Sequence, residues 1–565
     1  MRFLTSPSSD RLLILMLALV ICSMAAFGCG DDSSDDDDST SSEPADDDIG
    51  NDDNDDDNDD DNDDDNDDDL DDDSDDDLND DTGDDDADDD LNDDADDDTE
   101  YPQLPMPPSD GRLYVAAGQA VITPNEANHP GLIYMGGTSL NRVATGVHDD
   151  LLAAVLVLAK GDEHVVLVSL DLVGFSRLNT KAVQDMLGLR GLKPRNILVA
   201  STHNHEGPDT VGIWGPDPAT TGVSPAYQRF IVNTIVNKTV DLWESLTPAT
   251  MKAGAVDIND PGSNHESLIR DSRQPEIVIP TVSAAQFLDD SGDTVATLVN
   301  WHSHPEVVIS SREITADFPR WVRERIEEQL GGVGVYISGA VGGLQTPLGV
   351  NIPARDQQGL PVLDEFGQQT YLSGQSWEAA WSQGFVVADA AIQALGEAPI
   401  VERPDLSIIV ADLPLPIQNP VFLLAFFAGI LEPAERLFEP QWLCGLTGCT
   451  DEFVALVRVG PVTLVTSPGE TFPETILGRE ESVVDFGGDW GPFTYPALDG
   501  YINYVGDGVP MHMGLCGDEI GYMLPAADYH WIEHPDFYEE EVSLGFSTET
   551  FYRQKVIEML SGLHE

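Results

Sequence analysis

The sequence predicts an α/β (mixed α+β) fold in which layered mixed β-sheets carry flanking helices. Short runs rich in Val, Ile and Leu alternate with longer amphipathic segments. The apolar runs are nearly continuous, which is typical of strands buried on both faces. No break in composition divides residues 112–565, so we expect a single large domain after a disordered, Asp-rich linker.

Each element follows from its local pattern. Apolar, β-branched runs predict strands, and apolar residues at helical spacing predict helices. The strands are expected at 165–172, 196–200, 295–299, 333–337 and 462–465. The helices are expected at 181–189, 226–246, 319–330, 376–395 and 550–560.

Residues 1–29 have the pattern of a secretory signal. Arg2 and Arg11 precede an apolar run at 12–21, and small residues then lead to Cys29. A charged start, an apolar centre and a small-residue end are typical of exported chains. The cysteine resembles that of a bacterial lipoprotein cleavage box, which predicts Cys29 as a lipidation site; ordinary signal-peptidase cleavage is the alternative. The expected location is the bacterial cell envelope, with a lipid anchor in a membrane, at the outer membrane or cell surface.

Residues 30–111 are expected to form a disordered linker. Of the 105 Asp and Glu residues, 44 lie in 31–100, where there is no Lys or Arg. Such a segment repels itself and has little apolar surface to bury, so it stays extended. Calcium binding is the alternative, although the tract lacks the Gly and the closing Glu that shape an EF-hand loop.

The charge of the body excludes one class of partner. Residues 101–565 retain 60 Asp and Glu against 24 Lys and Arg. This acidic balance argues against nucleic acid as a partner, because phosphates require basic patches. Among the five cysteines, Cys444 and Cys449 are close enough in sequence for a small-loop disulfide in an oxidising compartment, and Cys516 then remains as a buried thiol.

Four polar clusters follow four of the predicted strands. The clusters are "THNH" at 202–205, "NWHSHP" at 300–305, "SGAVGGLQTP" at 338–347 and "TSPGE" at 466–470. Ligands gather beyond the carboxyl ends of strands in α/β sheets, so the clusters are expected to converge. Zinc binds His nitrogen and carboxylate oxygen, which this inventory supplies. In each H-x-H pair, a strand period of two would point both rings to one face.

The order of these motifs resembles the catalytic domain of the neutral (neutral/alkaline, non-lysosomal) ceramidases. "STHNHEGP" is similar to the family's A-T-H-T-H-S-G-P, "NWHSHP" to its N-W-x-x-x-H-P and "SPGE" to its V-P-G-E. "AAGQAVITP" (116–124) resembles the family's start, and "GYMLPAADY" (521–529) its Y-x-T-T-Y-E-E-Y segment. The resemblance covers most of 113–540 and implies one zinc ion per chain in a neutral ceramidase-like hydrolase domain spanning 112–565.

The resemblance also implies roles for individual residues. It assigns four metal ligands and two further catalytic groups, His205 beside the metal and Tyr538 at the substrate carbonyl; the ligands are His203, His304, Glu470 and Tyr522. Asp317, in "ITADFP", matches an Asp of the family. It is expected to hold the metal ligands in position without binding the ion itself. Asp171, at the end of an apolar strand, is either a structural carboxylate or a similar supporting partner.

Two departures from the family bear on substrate and mechanism. Where the family's G-D-V-S-P box carries a serine, "GGLQTP" offers Thr346, which we expect to supply the hydroxyl unless the metal and water act alone. Beyond the hydrolase domain the chain leaves no room for the family's immunoglobulin-like C-terminal domain, which puts ceramide itself in question. The extra His302 is expected to pack or to support a ligand.

We therefore predict a zinc-dependent amidohydrolase that cleaves the amide bond of a lipid or other N-acyl substrate. A catalytically weak or inactive envelope binding protein that keeps the fold is the alternative. A third possibility is a surface protein that functions through calcium bound to the Asp tract.

Overall fold

The computed structural model describes residues 101–343, 345–431, 436–438, 440–485, 491–530 and 538–562. The predicted signal, Cys29 and nearly all of the predicted linker lie outside these residues. The first strand begins at Leu113, next to the expected start of the domain. No helix within the described ranges is both long and apolar enough to cross a membrane.

The described residues form strands and helices in close alternation. The strands are β1 (Leu113–Val121), β2 (Gly146–Val147), β3 (Leu152–Lys160), β4 (Glu163–Leu170), β5 (Ile197–Ser201), β6 (Thr247–Asp257), β7 (Thr281–Leu288), β8 (Thr294–Trp301), β9 (Glu313–Ile314), β10 (Val333–Ser338), β11 (Ile352–Pro353), β12 (Tyr371–Leu372), β13 (Leu406–Pro416), β14 (Arg436–Leu437), β15 (Cys449–Val459), β16 (Val462–Thr466), β17 (Glu470–Thr471), β18 (Ser482–Asp485), β19 (Pro492–Tyr495), β20 (Val509–Met513) and β21 (Tyr522–Met523). The α-helices are α1 (Arg177–Gly188), α2 (Pro225–Trp243), α3 (Asp317–Leu330), α4 (Trp377–Gly396), α5 (Pro420–Phe427), α6 (Gln441–Cys444), α7 (Pro473–Leu477) and α8 (Thr548–Gly562). All five predicted strands and all five predicted helices are present, with ends shifted by a few residues.

Two sheets carry the fold. The larger has eight strands in the order β10-β8-β7-β6-β1-β3-β4-β5, and the second has the path β13-β15-β16-β20, with β14 beside β15. Parallel pairs occur at β10–β8, β4–β5 and β16–β20, and the other neighbours in these two sheets are antiparallel. The mixed α/β fold class is confirmed.

The hydrophobic cores explain why the sequences of the strands are apolar along most of their length. One core lies between the two sheets and joins residues such as Leu156, Leu298 and Leu464. On the other face of the large sheet, α1 and α2 cover one half and α3 and α4 the other. Helix α8 packs against the second sheet through Tyr552, Val556 and Leu560. Strands with apolar contacts on both faces need no polar alternation.

The two edge strands of the large sheet come together at their carboxyl ends. Ser338, the last residue of β10, donates a hydrogen bond from Oγ to the carbonyl of Thr202, just after β5, at 2.6 Å. Ser169 on β4 donates to the carbonyl of Tyr336 on β10, at 2.5 Å. This approach brings together the polar segments that follow β5, β8 and β10.

Candidate metal centre

Three buried histidines meet beyond these strand ends. His203 and His205 follow β5, and His304 follows β8. One ligand nitrogen from each lies within 4.8 Å of the other two, and this is the one group with such spacing among the described residues. The rings pack edge to face, with centroids 4.7 Å apart for His203 and His304. A buried His203-His205-His304 group could therefore bind a metal ion.

Glu470, the first residue of β17 and just beyond β16 of the second sheet, brings a carboxylate to the same point. Its Oε2 lies 3.5 Å from Nε2 of His203 and 3.3 Å from Nε2 of His304. For a tetrahedral ion with bonds of about 2.0–2.1 Å, neighbouring ligand atoms are about 3.3–3.4 Å apart. The distances from Glu470 to the two histidines therefore suit a common ion.

Backbone carbonyls fix the orientation of two rings. His203 donates from Nδ1 to the carbonyl of Val173 at 2.8 Å, which leaves Nε2 facing Glu470. The Nδ1 of His304 faces the carbonyl of Gln345 at 3.3 Å. Such outer hydrogen bonds set the tautomer of metal-binding histidines and turn the free nitrogen towards the ion.

Burial sets the charge state of these groups. Burial lowers the pKa of His203 to about 4, against the raising effect of the Glu470 carboxylate. It raises the pKa of Glu470 to about 7, although His203 and a hydrogen bond from Tyr522 oppose the shift. Neutral histidines are the form that binds a metal, because the free lone pair is the ligand.

Two tyrosines border the carboxylate. Glu470 and Tyr522 are direct partners in the parallel β17–β21 pair, and Tyr522 and Tyr538 share a hydrogen bond between their hydroxyls at 3.0 Å. Burial raises the pKa of both phenols well above the ordinary value, so both stay protonated. The structure thus brings the four expected ligands and Tyr538 into one neighbourhood.

The donor set fits a metal by a further criterion. Nε2 of His304, both ring nitrogens of His205 and Oε2 of Glu470 are buried without a hydrogen-bond partner. Buried polar atoms are almost always paired, and a bound ion is one recognised reason for an exception. The unpaired Nε2 of His304 and Oε2 of Glu470 therefore suit a shared ion, and His205 keeps its ring nitrogens beside it.

Thr346 is engaged with a carboxylate that the sequence analysis missed. Its hydroxyl donates to Oε1 of Glu306 and accepts the N–H of Leu348 at 3.0 Å. The other oxygen of Glu306 lies 3.7 Å from Nδ1 of His205. The available signal was a lone acid, two residues after His304, that opens an apolar run.

The two aspartates hold the surrounding backbone. Asp317 begins α3 and accepts N–H groups from Val308 and Phe318, at 2.9 and 2.5 Å, and burial raises its pKa to about 7. Asp171 forms a buried two-pronged ion pair with Arg323, at 2.8 and 2.7 Å. Between the two alternatives for Asp171, these contacts favour a structural carboxylate.

His302 and the described cysteines have structural surroundings. His302 accepts the N–H of Ala340 at 2.9 Å, which agrees with the expected packing role. Cys444 and Cys449 form the expected disulfide, and Cys516 is a buried thiol whose pKa burial raises to about 12.

Arg142 is another residue that the sequence analysis missed. It donates to the carbonyl of His205 at 2.8 Å and to the carbonyl of Ser311 at 2.7 Å. The only sequence signal was an isolated Arg in an acidic chain.

Comparison with solved structures gives a likeness over most of the chain. Neutral ceramidase from Pseudomonas aeruginosa superposes with a TM-score of 0.56 at 17% identity, over 80% of this chain and 74% of that one. The chain has the neutral ceramidase fold. A structure described as ceramidase complexed with C2 gives a TM-score of 0.56 at 16% identity, over 80% of this chain and 75% of that one. No protein-family model and no curated protein matches the sequence. The resemblance expected from the motifs is thus supported at the level of the neutral ceramidase fold.

Proposed function

We propose that the chain is a zinc-dependent hydrolase that cleaves the amide bond of an N-acyl lipid of the ceramide kind. The observation that carries the proposal is the spacing of Glu470 Oε2 from the Nε2 atoms of His203 and His304, at 3.5 and 3.3 Å. This spacing occurs in a buried group at converging strand ends of a neutral ceramidase fold. The fold supports the reaction class, and the donor set supports the metal.

In this proposal His203, His304 and Glu470 hold the ion, with Tyr522 as a fourth ligand beside Glu470. A zinc ion supplies Lewis acidity and lowers the pKa of bound water towards about 7. The buried, neutral state of the histidines keeps their lone pairs available at ordinary pH.

Two further groups act on the substrate. His205 has unpaired ring nitrogens and accepts the proton of the attacking water, then returns it to the leaving amine. Tyr538 is protonated and donates its hydroxyl to the amide oxygen, where negative charge develops. The hydrogen bond between Tyr538 and Tyr522 holds the donor in place.

The experiment is an assay of the zinc-loaded protein with N-acyl lipids of different acyl length and amine. Sphingosine amides, fatty-acid amides of simple amines and N-acyl amino acids distinguish ceramide from other amides. The His203→Ala variant is the control for a metal-independent contaminant. Release of the free acid by the wild type and not by this variant supports the proposal, and no hydrolysis of any amide contradicts it.

A binding protein is the second candidate, and one observation favours it. The Thr346 hydroxyl, at the position of the family serine, is engaged by Glu306. If the hydroxyl were indispensable for turnover, the chain would bind N-acyl lipids without cleaving them. Retention of labelled lipid with no release of acid identifies this case.

We also propose that the chain is exported and anchored by lipid at Cys29, with 30–111 as the linker to the hydrolase domain. Metabolic labelling with palmitate tests this proposal. Label in the wild type and its loss in Cys29→Ser support it, and equal labelling of both contradicts it.

A further inference from the structure

Glu306 stands between Thr346 and His205. Its side chain is 2% exposed. One carboxylate oxygen accepts the hydroxyl of Thr346, and the other lies 3.7 Å from Nδ1 of His205. This distance is slightly longer than a hydrogen bond, and such contacts in unliganded sites often tighten when the reacting groups are bound.

The ring of His205 has little freedom to turn away from Glu306. A Cβ at Gly137 would come within 2.4 Å of the His205 ring, so the ring packs directly on that glycine. Arg142 holds the carbonyl of His205 at 2.8 Å. These contacts fix the backbone and the Cβ and Cγ atoms of His205, and in the structure Nδ1 lies on the side of Glu306.

We propose that Glu306 is a positioning residue that fixes the tautomer of His205, and that Thr346 acts by anchoring Glu306. An ionised carboxylate accepts a hydrogen bond and cannot donate one, so Glu306 in this form selects the neutral ring that carries its proton on Nδ1. The lone pair then lies on Nε2, which is the form that can accept a proton or bind an ion.

This inference rests on the proposed function and gives the threonine a definite task. The chain places a hydroxyl where the related family has a catalytic serine, and that hydroxyl donates to a carboxylate. Thr346 thus supports the histidine through Glu306 and makes no bond to the substrate. Thr346, which replaces the family serine, and Glu306 therefore act together on His205.

The test is nitrogen NMR of the full chain with histidines labelled in the ring, because protonated and unprotonated ring nitrogens have separate chemical shifts. The His205 signals are assigned by their loss in His205→Gln. The variants are Glu306→Gln, Thr346→Val and Thr346→Ser, with Thr475→Val as a matched control. Thr475 is a buried threonine that donates to a buried carboxylate, Glu549, at 3.3 Å.

We expect the proton on Nδ1 of His205 in the wild type, in Thr346→Ser and in the control. The amide of Glu306→Gln can donate to Nδ1, so this variant should move the proton to Nε2. Thr346→Val should give a mixture of the two forms. With an amide substrate, kcat should fall by about 10–100-fold in Glu306→Gln and Thr346→Val, with KM nearly unchanged. This range is typical of the loss of a residue that hydrogen-bonds to the side chains of a metal site.

The proposal is overturned if His205 carries its proton on Nε2 in the wild type, or keeps it on Nδ1 in Glu306→Gln. The NMR result requires no turnover, so a protein that cleaves no amide would contradict the proposed function and still decide the role of Glu306.

Discussion

The carboxylate of Glu470 lies 3.3 Å from Nε2 of His304, although the two residues follow strands of different sheets. Glu470 follows β16 in the second sheet, and His304 follows β8 in the large one. Two acceptor atoms this close, both buried, repel each other unless a proton or a cation lies between them. The contact between Glu470 and His304 therefore forms only when the two sheets pack together, and the metal centre depends on that packing.

Tyr538→Phe should lower kcat for amide hydrolysis by about 10²–10³-fold, because the variant lacks the hydroxyl that donates to the developing negative charge. Tyr529→Phe is the matched control, since its hydroxyl donates to a backbone carbonyl, that of Glu540, at 3.2 Å. Steady-state kinetics of both variants checks the expectation. Equal rates for the two variants would remove Tyr538 from the reaction.

Gly137→Ala should displace His205 and lower kcat by about 10²-fold, the loss that a shift of about 1 Å in a catalytic group can cause. Gly137 has φ of 96°, and an added Cβ would meet the ring of His205. Gly131→Ala is the control, because Gly131 has φ of 90° with no atom within 4 Å of the added Cβ. An equal fall in kcat in the two variants would show that the strain of a positive φ, and not contact with the His205 ring, lowers the rate.

Asp171→Ala should lower the free energy of unfolding by about 3–5 kcal/mol, because it leaves the Arg323 guanidinium buried without its partner. Asp290→Asn, which removes an ion pair with Arg112 at the surface, should leave the unfolding midpoint unchanged. Urea unfolding followed by circular dichroism measures both. A midpoint for Asp171→Ala equal to that of Asp290→Asn would contradict the structural role of Asp171.

The free energy of unfolding should fall in acid because of His164. This histidine lies on β4 and is remote from the metal centre in sequence. Burial lowers its pKa from 6.5 to about 4, and its Nε2 accepts the N–H of Lys193 at 2.9 Å. Between these values the unfolded chain binds a proton that the folded chain does not, so stability falls as the pH drops from 6.5 towards 4, by at most about 1.4 kcal/mol per unit.

His164→Gln keeps an acceptor for Lys193 and removes this proton. Unfolding free energies of the wild type and the variant at pH 7, 6 and 5 should therefore diverge. The variant should lose less stability over this range, and parallel curves would contradict the assignment to His164.

The sequence was sufficient for the elements and for the groups that meet, because both depend on local pattern. Apolar runs such as 333–337 predict a strand wherever it is packed. The polar segments after β5, β8 and β16 were expected to converge, and the structure brings His203, His304 and Glu470 together. The order of the strands and the approach of β5 to β10 depend on long-range pairing that local patterns do not encode.

The H-x-H pairs were expected to point both rings to one face; His203 and His205 do meet in one buried group, but not through a strand period of two. β5 ends at Ser201 and β8 at Trp301, so neither pair lies in a strand. His203 has φ of 66°, and it reaches His205 by a turn of the chain. His302 instead accepts the N–H of Ala340. Glu306 was missed because its role depends on Thr346, which is distant in sequence.

The metal content of the purified full-length protein tests the central claim most directly. Elemental analysis should find about one zinc per chain in the wild type and in His265→Ala, a partly exposed histidine beside Glu276, at 3.4 Å. His203→Ala and Glu470→Ala should fold and contain almost none, because each loses a ligand. A folded wild type that takes up no zinc when zinc is supplied would contradict the metal centre and the hydrolase proposed from it.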